Sequence, residues 1–486
     1  FFQAEDGIRD FCLSRGLGDV YKRQGRDPVW DQILQVGATK VSKEFNEIEA
    51  FEYRCRLKPG LIPSPFALAV NNTDYAKLIK TEFSHYEMLR KLEEKFIKWS
   101  PSVFIGYNSI NFDEEFLRHS LFRALLDPYL TSRNNNHRAD LLELLRTVDF
   151  FFPNTINVPT NEKKKKTFKL DQIAPANAIN HLAHDAFGDV MATKQLAQLI
   201  SKRKPSFWRS FLDGANKSRV YHTLSEEKIV FLCQTFYGKT TPISGTFLFN
   251  HPVYNFPVLF DLNYDPQDLI ELNLKELRDI YISGQKFLKF VKPNKGPILL
   301  KKKQVEDSWF FNSININEFQ KRSEVLENAS FFKQNLASML SDIAEENKQE
   351  KELSGSQEDI MAEETLYIGG FPSHKDQKLK QQFRNENWSN RYNLCQEFSD
   401  KRFSYFGLRL IYEECPQTLP LSVRDKIERS VEDQLTSTNK EKWKTCDDFD
   451  KEIEIIENDS NTNVGEFVFE LRDIRNYFKE TYYQKR

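Results

Sequence analysis

The segment Ser102-Val103-Phe104-Ile105-Gly106-Tyr107-Asn108-Ser109-Ile110-Asn111-Phe112-Asp113-Glu114-Glu115-Phe116-Leu117 decides the fold class of this chain. Its first five residues are apolar or small and form a short run without alternation, which predicts a buried strand. Asp113 then opens a stretch with helical spacing. A strand that hands over to a helix through a short polar loop is the unit of an α/β sheet, and residues at that end of the strand face the crevice where ligands bind. Taken alone, Asp113 is more readily read as a helix cap.

A second segment carries the same signature. His184-Asp185-Ala186-Phe187-Gly188-Asp189 precedes an amphipathic stretch over 184–202. On one continuous helix His184 and Asp189 would stand roughly 140° apart. They share a site only if His184 lies in the lead-in loop and Asp189 on the first turn. Asp185 is then a natural cap or first-turn acid, favoured by the helix dipole.

Outward from these segments the chain reads as several units. Trp30–Val41 predicts a strand. Glu47–Lys58 alternates, with Phe51, Tyr53, Cys55 and Leu57 on one face and Glu52, Arg54, Arg56 and Lys58 on the other. Period two marks a strand with one buried face. Helical spacing covers Asn72–Trp99 and 138–149, while Lys163–Lys166 reads as a solvated loop. These elements predict an α/β domain with a mixed sheet over 25–203, closed by the punctuation of Pro205. Short aromatic and β-branched runs (Ile229–Leu232, Thr246–Phe249, Val258–Asp261) then predict a β-rich domain over 204–344. Glu345–Glu364 is polar and reads as a linker, and 365–486 reads as a charged helical domain. Residues 1–24 show neither period and are expected to form no regular element of the sheet.

The bulk composition is consistent with this division. A chain of 486 residues is long enough for two or three domains. Hydrophobic residues make up 40% and charged residues 29%, the composition of a globular protein. No apolar run reaches the roughly 18–20 residues that span a bilayer, so no membrane association is expected. The six cysteines form no CxxC pair or zinc spacing and read as reduced thiols of a cytoplasmic protein. The net charge of −2 excludes neither a nucleic-acid nor any other partner, because phosphate binding needs a local basic groove only.

Together, G-Y-N…F-D-E-E-F-L at Gly106–Leu117 and H-D-A-x-x-D at His184–Asp189 resemble the second and third motifs of the DEDDh 3′–5′ exonuclease superfamily. Asp127-Pro128-Tyr129, Arg138-Ala139-Asp140-Leu141-Leu142 and Thr167-Phe168-Lys169-Leu170 look specifically like the exonuclease I family. So do Phe236-Tyr237-Gly238-Lys239 and Asn294-Lys295-Gly296-Pro297, in what would be an SH3-like domain ahead of a helical one. The resemblance runs from about Gly25 almost to the C-terminus. It implies an RNase H-like exonuclease domain that removes nucleotides from the 3′ ends of single-stranded DNA, in repair and recombination. By position, Asp113 and Asp189 would be ligands of a two-metal Mg²⁺ site and His184 the general base. Arg118, Tyr129, Arg146, Lys169, Lys217, Lys289 and Asn294 match strand-contacting positions; cations with an aromatic platform suit sequence-tolerant binding. Lys169 stands where an arginine is expected, so a bidentate phosphate contact becomes a point-charge contact. The resemblance also implies a monomer that contacts the single-stranded DNA-binding protein through the latter's acidic, hydrophobic tail.

One departure is large. The first motif of the family, Asp-x-Glu on the opening strand, is missing. Aligning Gly25-Arg26-Asp27-Pro28 with the family segment after that motif puts Val20 and Lys22 at the carboxylate positions. Asp19 is one residue out of register, which on a strand turns it to the other face. Glu5, Asp6 and Asp10 are expected to lie too far upstream. The first 24 residues resemble translated sequencing-adapter read-through, and the chain as written is expected to have lost its opening strand and most of its activity. Two other readings remain open. One is a DEDDh nuclease acting on RNA 3′ ends, and the other is a single-strand-binding protein without catalysis, which predicts a well-formed replacement strand within residues 8–24.

Overall fold

The computed structural model describes residues 9–15, 27–70, 74–180, 186–236, 238–354, 360–458 and 467–482. A five-stranded mixed sheet occupies the first part, built from β1 (Arg9–Arg15), β2 (Gln35–Val41), β3 (Glu47–Arg54), β4 (Ser102–Gly106) and β5 (His137–Asp140) in the order β3-β2-β1-β4-β5. β1 runs antiparallel to β2 and parallel to β4, and β4 runs parallel to β5. This bears out the mixed α/β sheet.

It also corrects the reading of the N-terminal segment. Arg9–Arg15 is the central strand, paired on both sides. Its sequence, RDFCLSR, carries no alternation, because a strand bonded to two neighbours is specified by long-range pairing. Val20, Lys22 and Asp19 lie outside the described residues.

All five residues of β4 are buried, and its pleat divides them between two cores. Val103 and Ile105 join a cluster with Leu144, Leu145 and Val148 of one helix and Val190 and Leu196 of another. Phe104 faces the opposite side, with Val36, Ala38, Phe96 and Phe122. Each such side chain contributes about 1.5–3 kcal/mol by leaving water. An unbroken apolar strand is thus the product of helices on both faces.

The helices that matter for the site are α1 (His85–Trp99), α2 (Asp113–Arg123), α3 (Leu141–Phe151), α4 (Ala186–Arg203) and α5 (Pro205–Ala215). The helix read through Asn72–Trp99 is broken. A capping box at Ser84, whose hydroxyl accepts from Glu87 N at 3.0 Å while Glu87 Oε2 accepts from Ser84 N at 2.7 Å, starts α1 afresh. The helix expected from 138 begins at Leu141, because residues 137–140 belong to the sheet. The strand expected from Trp30 begins at Gln35, after a turn at 28–30.

The β-rich region is an antiparallel sheet of β6 (Val230–Phe236), β7 (Lys239–Asn250), β8 (Pro257–Asp261), β9 (Leu288–Phe290) and β10 (Ile298–Lys301), ordered β10-β6-β7-β8-β9. The expected linker is in part helix: α6 (Ser330–Ser354) continues through residues 345–354. Glu, Lys and Gln are good helix formers even where no apolar face exists. The C-terminal region is helical as expected, with α7 (His374–Asn385), α8 (Trp388–Glu397) and α9 (Lys401–Glu414) at its start. It is not an isolated unit. Leu379, Phe383, Cys395 and Phe406 share one core with α1 and α2. Arg391 stacks on Trp388 at 3.7 Å, and Trp388 meets Tyr86 edge-on at 5.6 Å.

Candidate active site

Asp113 is the first residue of α2, directly beyond the end of β4. The loop between them is held from below by Asp140. That carboxylate accepts from Asn108 N at 2.8 Å, Ile110 N at 3.3 Å and Leu142 N at 3.1 Å. Asn108 takes a positive φ of 59°, a bend that asparagine tolerates better than most residues. Burial pushes the Asp140 carboxyl up to about 7, against the pull of the three N–H groups. Asp140 stands within the Arg138–Leu142 motif, where the sequence assigns it no role. Two of its three partners, Asn108 and Ile110, stand 32 and 30 residues away, and only the cap on Leu142 N is local.

Asp189 lies in the first turn of α4, as expected. The start of this helix rests on β2, where a Cβ on Gly37 would stand 3.2 Å from the Ala186 carbonyl carbon. Gly37 pairs with Ser14 of β1, and Leu13 pairs with Gly106 at the end of β4. Asp113 and Asp189 therefore enter from elements flanking the end of β1, where a first motif would complete a metal site. Asp10, the one acid on β1, pairs with Val103. It sits three steps of about 3.3 Å below the Leu13–Gly106 level. Phe11, Cys12, Leu13, Ser14 and Arg15 fill the rest of the strand. Among the described residues no three His, Cys, Asp or Glu side chains gather as metal ligands. Two carboxylates do not make the ligand set of a two-metal site, so the described chain does not fit that group. His184 lies outside the described residues.

The expected strand-contacting residues fall into groups. Arg118 stacks over Tyr129 at 5.1 Å, with Arg133 on the same ring at 5.5 Å. Burial opposes the charge of Arg118, but hydrogen bonding to the Tyr367 hydroxyl (3.3 Å) and the nearby Glu114 and Glu115 carboxylates raise its pKa overall. Tyr367 donates to Glu115 Oε2 at 2.5 Å, and Phe371, three-quarters exposed, packs on Tyr129 at 6.1 Å. These two rings from the helical region escaped the sequence reading. The exposed aromatic in Leu366-Tyr367-Ile368-Gly369-Gly370-Phe371 was the available signal.

Arg146 stands over the Phe168 ring, and Lys169 follows Phe168 in the chain. Arg146 is 5.8 Å from that ring and bonded to Glu143 at 2.7 Å, and Lys169 is exposed. The Tyr107 hydroxyl bonds the Phe168 carbonyl at 2.5 Å, which ties this group to the loop before Asp113. Lys217 stands 5.9 Å from the Tyr221 ring, next to Asn216, which meets His137 at the start of β5. Asn294 reaches the nuclease sheet through its carbonyl, which accepts from Arg138 at 3.0 Å. Lys289 is placed differently: it lies on β9, ion-paired with Asp261 at 3.6 Å.

The class follows from likeness to known proteins: the curated relatives of this chain are exodeoxyribonucleases, which makes it a DNA exonuclease. Residues 360–481 match the model of the exonuclease I C-terminal domain. An exodeoxyribonuclease I of Buchnera aphidicola is 29% identical over 344 residues, covering 68% of this chain and 70% of the relative. The crystal structure of Escherichia coli exonuclease I in complex with a dA16 oligonucleotide superposes with a TM-score of 0.77 at 21% identity, covering 98% of this chain and 100% of that one. An exonuclease I/SSB-Ct complex superposes at 0.75, with 20% identity over 97% and 99% of the two chains. The chain is thus similar to exonuclease I proteins over most of its length.

Proposed function

We propose that this chain grips single-stranded DNA and presents its 3′ end to the Asp113–Asp189 corner, the part of an Mg²⁺-dependent hydrolytic site that it retains, and that as written it binds the strand but cuts it poorly. The observation that supports this reading is that Asp113 opens α2 beyond β4 and Asp189 lies on the first turn of α4, two elements that flank β1, on which Asp10 is the one acid. Mg²⁺ prefers several carboxylate oxygens and water, so two aspartates hold it weakly. Phe371, Tyr129 and Arg118 offer ring faces and a cation to unpaired bases and phosphates. The chain's own groups bind and orient the strand, and His184 is the candidate for taking the proton of the attacking water. The five-stranded β6–β10 unit, read as SH3-like, forms the other wall of the groove. A monomer that meets the single-stranded DNA-binding protein completes the reading, in line with the SSB-Ct-bound relative.

The non-catalytic reading also has an observation in its favour, since Arg9–Arg15 is the replacement strand it predicts. Action on RNA is the remaining alternative. Fluorescence anisotropy of labelled single-stranded DNA, RNA and duplex DNA with the full chain tests the substrate class. Tightest binding to single-stranded DNA supports the reading. A preference for RNA, or no binding, overturns it.

A further inference from the structure

We infer that Arg138 is a positioning residue that locks the turn at Pro293–Gly296 of the second domain to the helix carrying Asp113, so that a strand held by the second domain meets the carboxylate corner in register. The inference rests on the single-strand reading above and concerns a residue to which no contact with substrate has been assigned.

Arg138 lies on β5 and is 7% exposed. One arm of its guanidinium meets Glu114 Oε2 at 3.4 Å, and the other donates to the Asn294 carbonyl at 3.0 Å. Glu114, the neighbour of Asp113 on α2, is 3% exposed. A carboxylate that deep requires partners, and among the described residues it is hydrogen-bonded by Arg138 and by the Thr131 hydroxyl, which donates at 2.6 Å. The turn is also wedged by shape. Gly296 holds φ at +60°, and a Cβ there would stand 3.0 Å from the Arg138 carbonyl and 3.4 Å from Ile110 Cδ1. Ile110 belongs to the loop that leads into Asp113. Behind the turn, a Cβ on Gly214 of α5 would lie 2.0 Å from the Pro297 carbonyl oxygen. The Asn294-Lys295-Gly296-Pro297 turn is therefore closed in between β5, the loop before Asp113 and α5. Arg138 is the polar clasp on that seat. A planar fork can serve two acceptors at once, whereas a lysine offers one point of charge.

The test uses Arg138→Lys in the full chain, with affinity for a five-nucleotide and a twenty-nucleotide oligothymidylate read by anisotropy. On the single-strand reading, the short strand is to engage one domain and the long one to span both. Binding needs no first motif, so the outcome is independent of hydrolysis. The clasp predicts that Arg138→Lys weakens the long strand by about 3- to 10-fold, the effect of one hydrogen bond, and leaves the short strand unchanged. The double variant Glu114→Gln/Arg138→Gln, which leaves no buried charge unpaired, is expected to behave the same way if the single variant folds poorly. Equal loss on both lengths, or no loss on the long strand, overturns the inference. A parent chain that binds neither strand would instead overturn the single-strand reading, and the inference with it.

Discussion

Replacing Asp140 by asparagine should change how the stability of this protein depends on pH. The carboxyl is buried and its pKa is raised to about 7, chiefly by desolvation. An unfolded aspartate titrates near 3.9. The folded value is the higher one, so the fold favours the protonated acid. The contribution is fully present below about pH 4 and is lost as pH rises through 7. Between pH 5 and pH 8 the loss is about 2–3 kcal/mol, close to two of the three units at 1.36 kcal/mol each. In Asp140→Asn the amide oxygen can keep the two bonds made by Oδ1, to Asn108 N and Leu142 N, and forfeits the longer one to Ile110 N. That costs about 1 kcal/mol at any pH. Urea unfolding of parent and variant at pH 5 and pH 8 isolates the difference. The parent should lose about 2–3 kcal/mol more than the variant over this interval. Equal slopes, or a parent that gains stability towards pH 8, would show that the three N–H groups hold Asp140 as a carboxylate and would refute the reasoning.

Three other outcomes follow from the same contacts. Phe371→Ala removes an exposed ring beside Tyr129 and should weaken single-stranded DNA binding by about tenfold, within the ~1–3 kcal/mol per stacked base; anisotropy with an oligothymidylate measures it. Gly214→Ala drives a methyl into the Pro297 carbonyl and should lower stability by about 1–3 kcal/mol, read from the unfolding midpoint. Phe383→Ala opens a hole in the core shared by α1, α2 and the helical region, and should cost about 3–5 kcal/mol by denaturant titration.

The parts of the fold that follow from local pattern were legible in the sequence. β4 and α2 follow from an apolar run and a change of period, and the Asp113 and Asp189 positions follow from where those helices begin. What long-range contact decides was not legible. Arg9–Arg15 has no pattern of its own and becomes a strand through pairing with β2 and β4. The 345–354 stretch has the composition of a linker, yet its residues are good helix formers and extend α6. Asp140, Arg138 and Tyr367 act on partners 30, 24 and 252 residues away, beyond any spacing rule. The Tyr129–Phe371 ring pair spans the first and the helical regions for the same reason: neither half identifies it alone.

The most direct measurement follows a 5′-labelled single-stranded DNA oligonucleotide in Mg²⁺ with two full-length proteins. One is the chain as written; the other carries a family-type opening strand in place of residues 1–24, with Val20→Asp and Lys22→Glu. The account predicts that only the second yields a ladder shortening from the 3′ end, abolished by EDTA, while both bind the strand. Cutting by both proteins, or by neither, would contradict it.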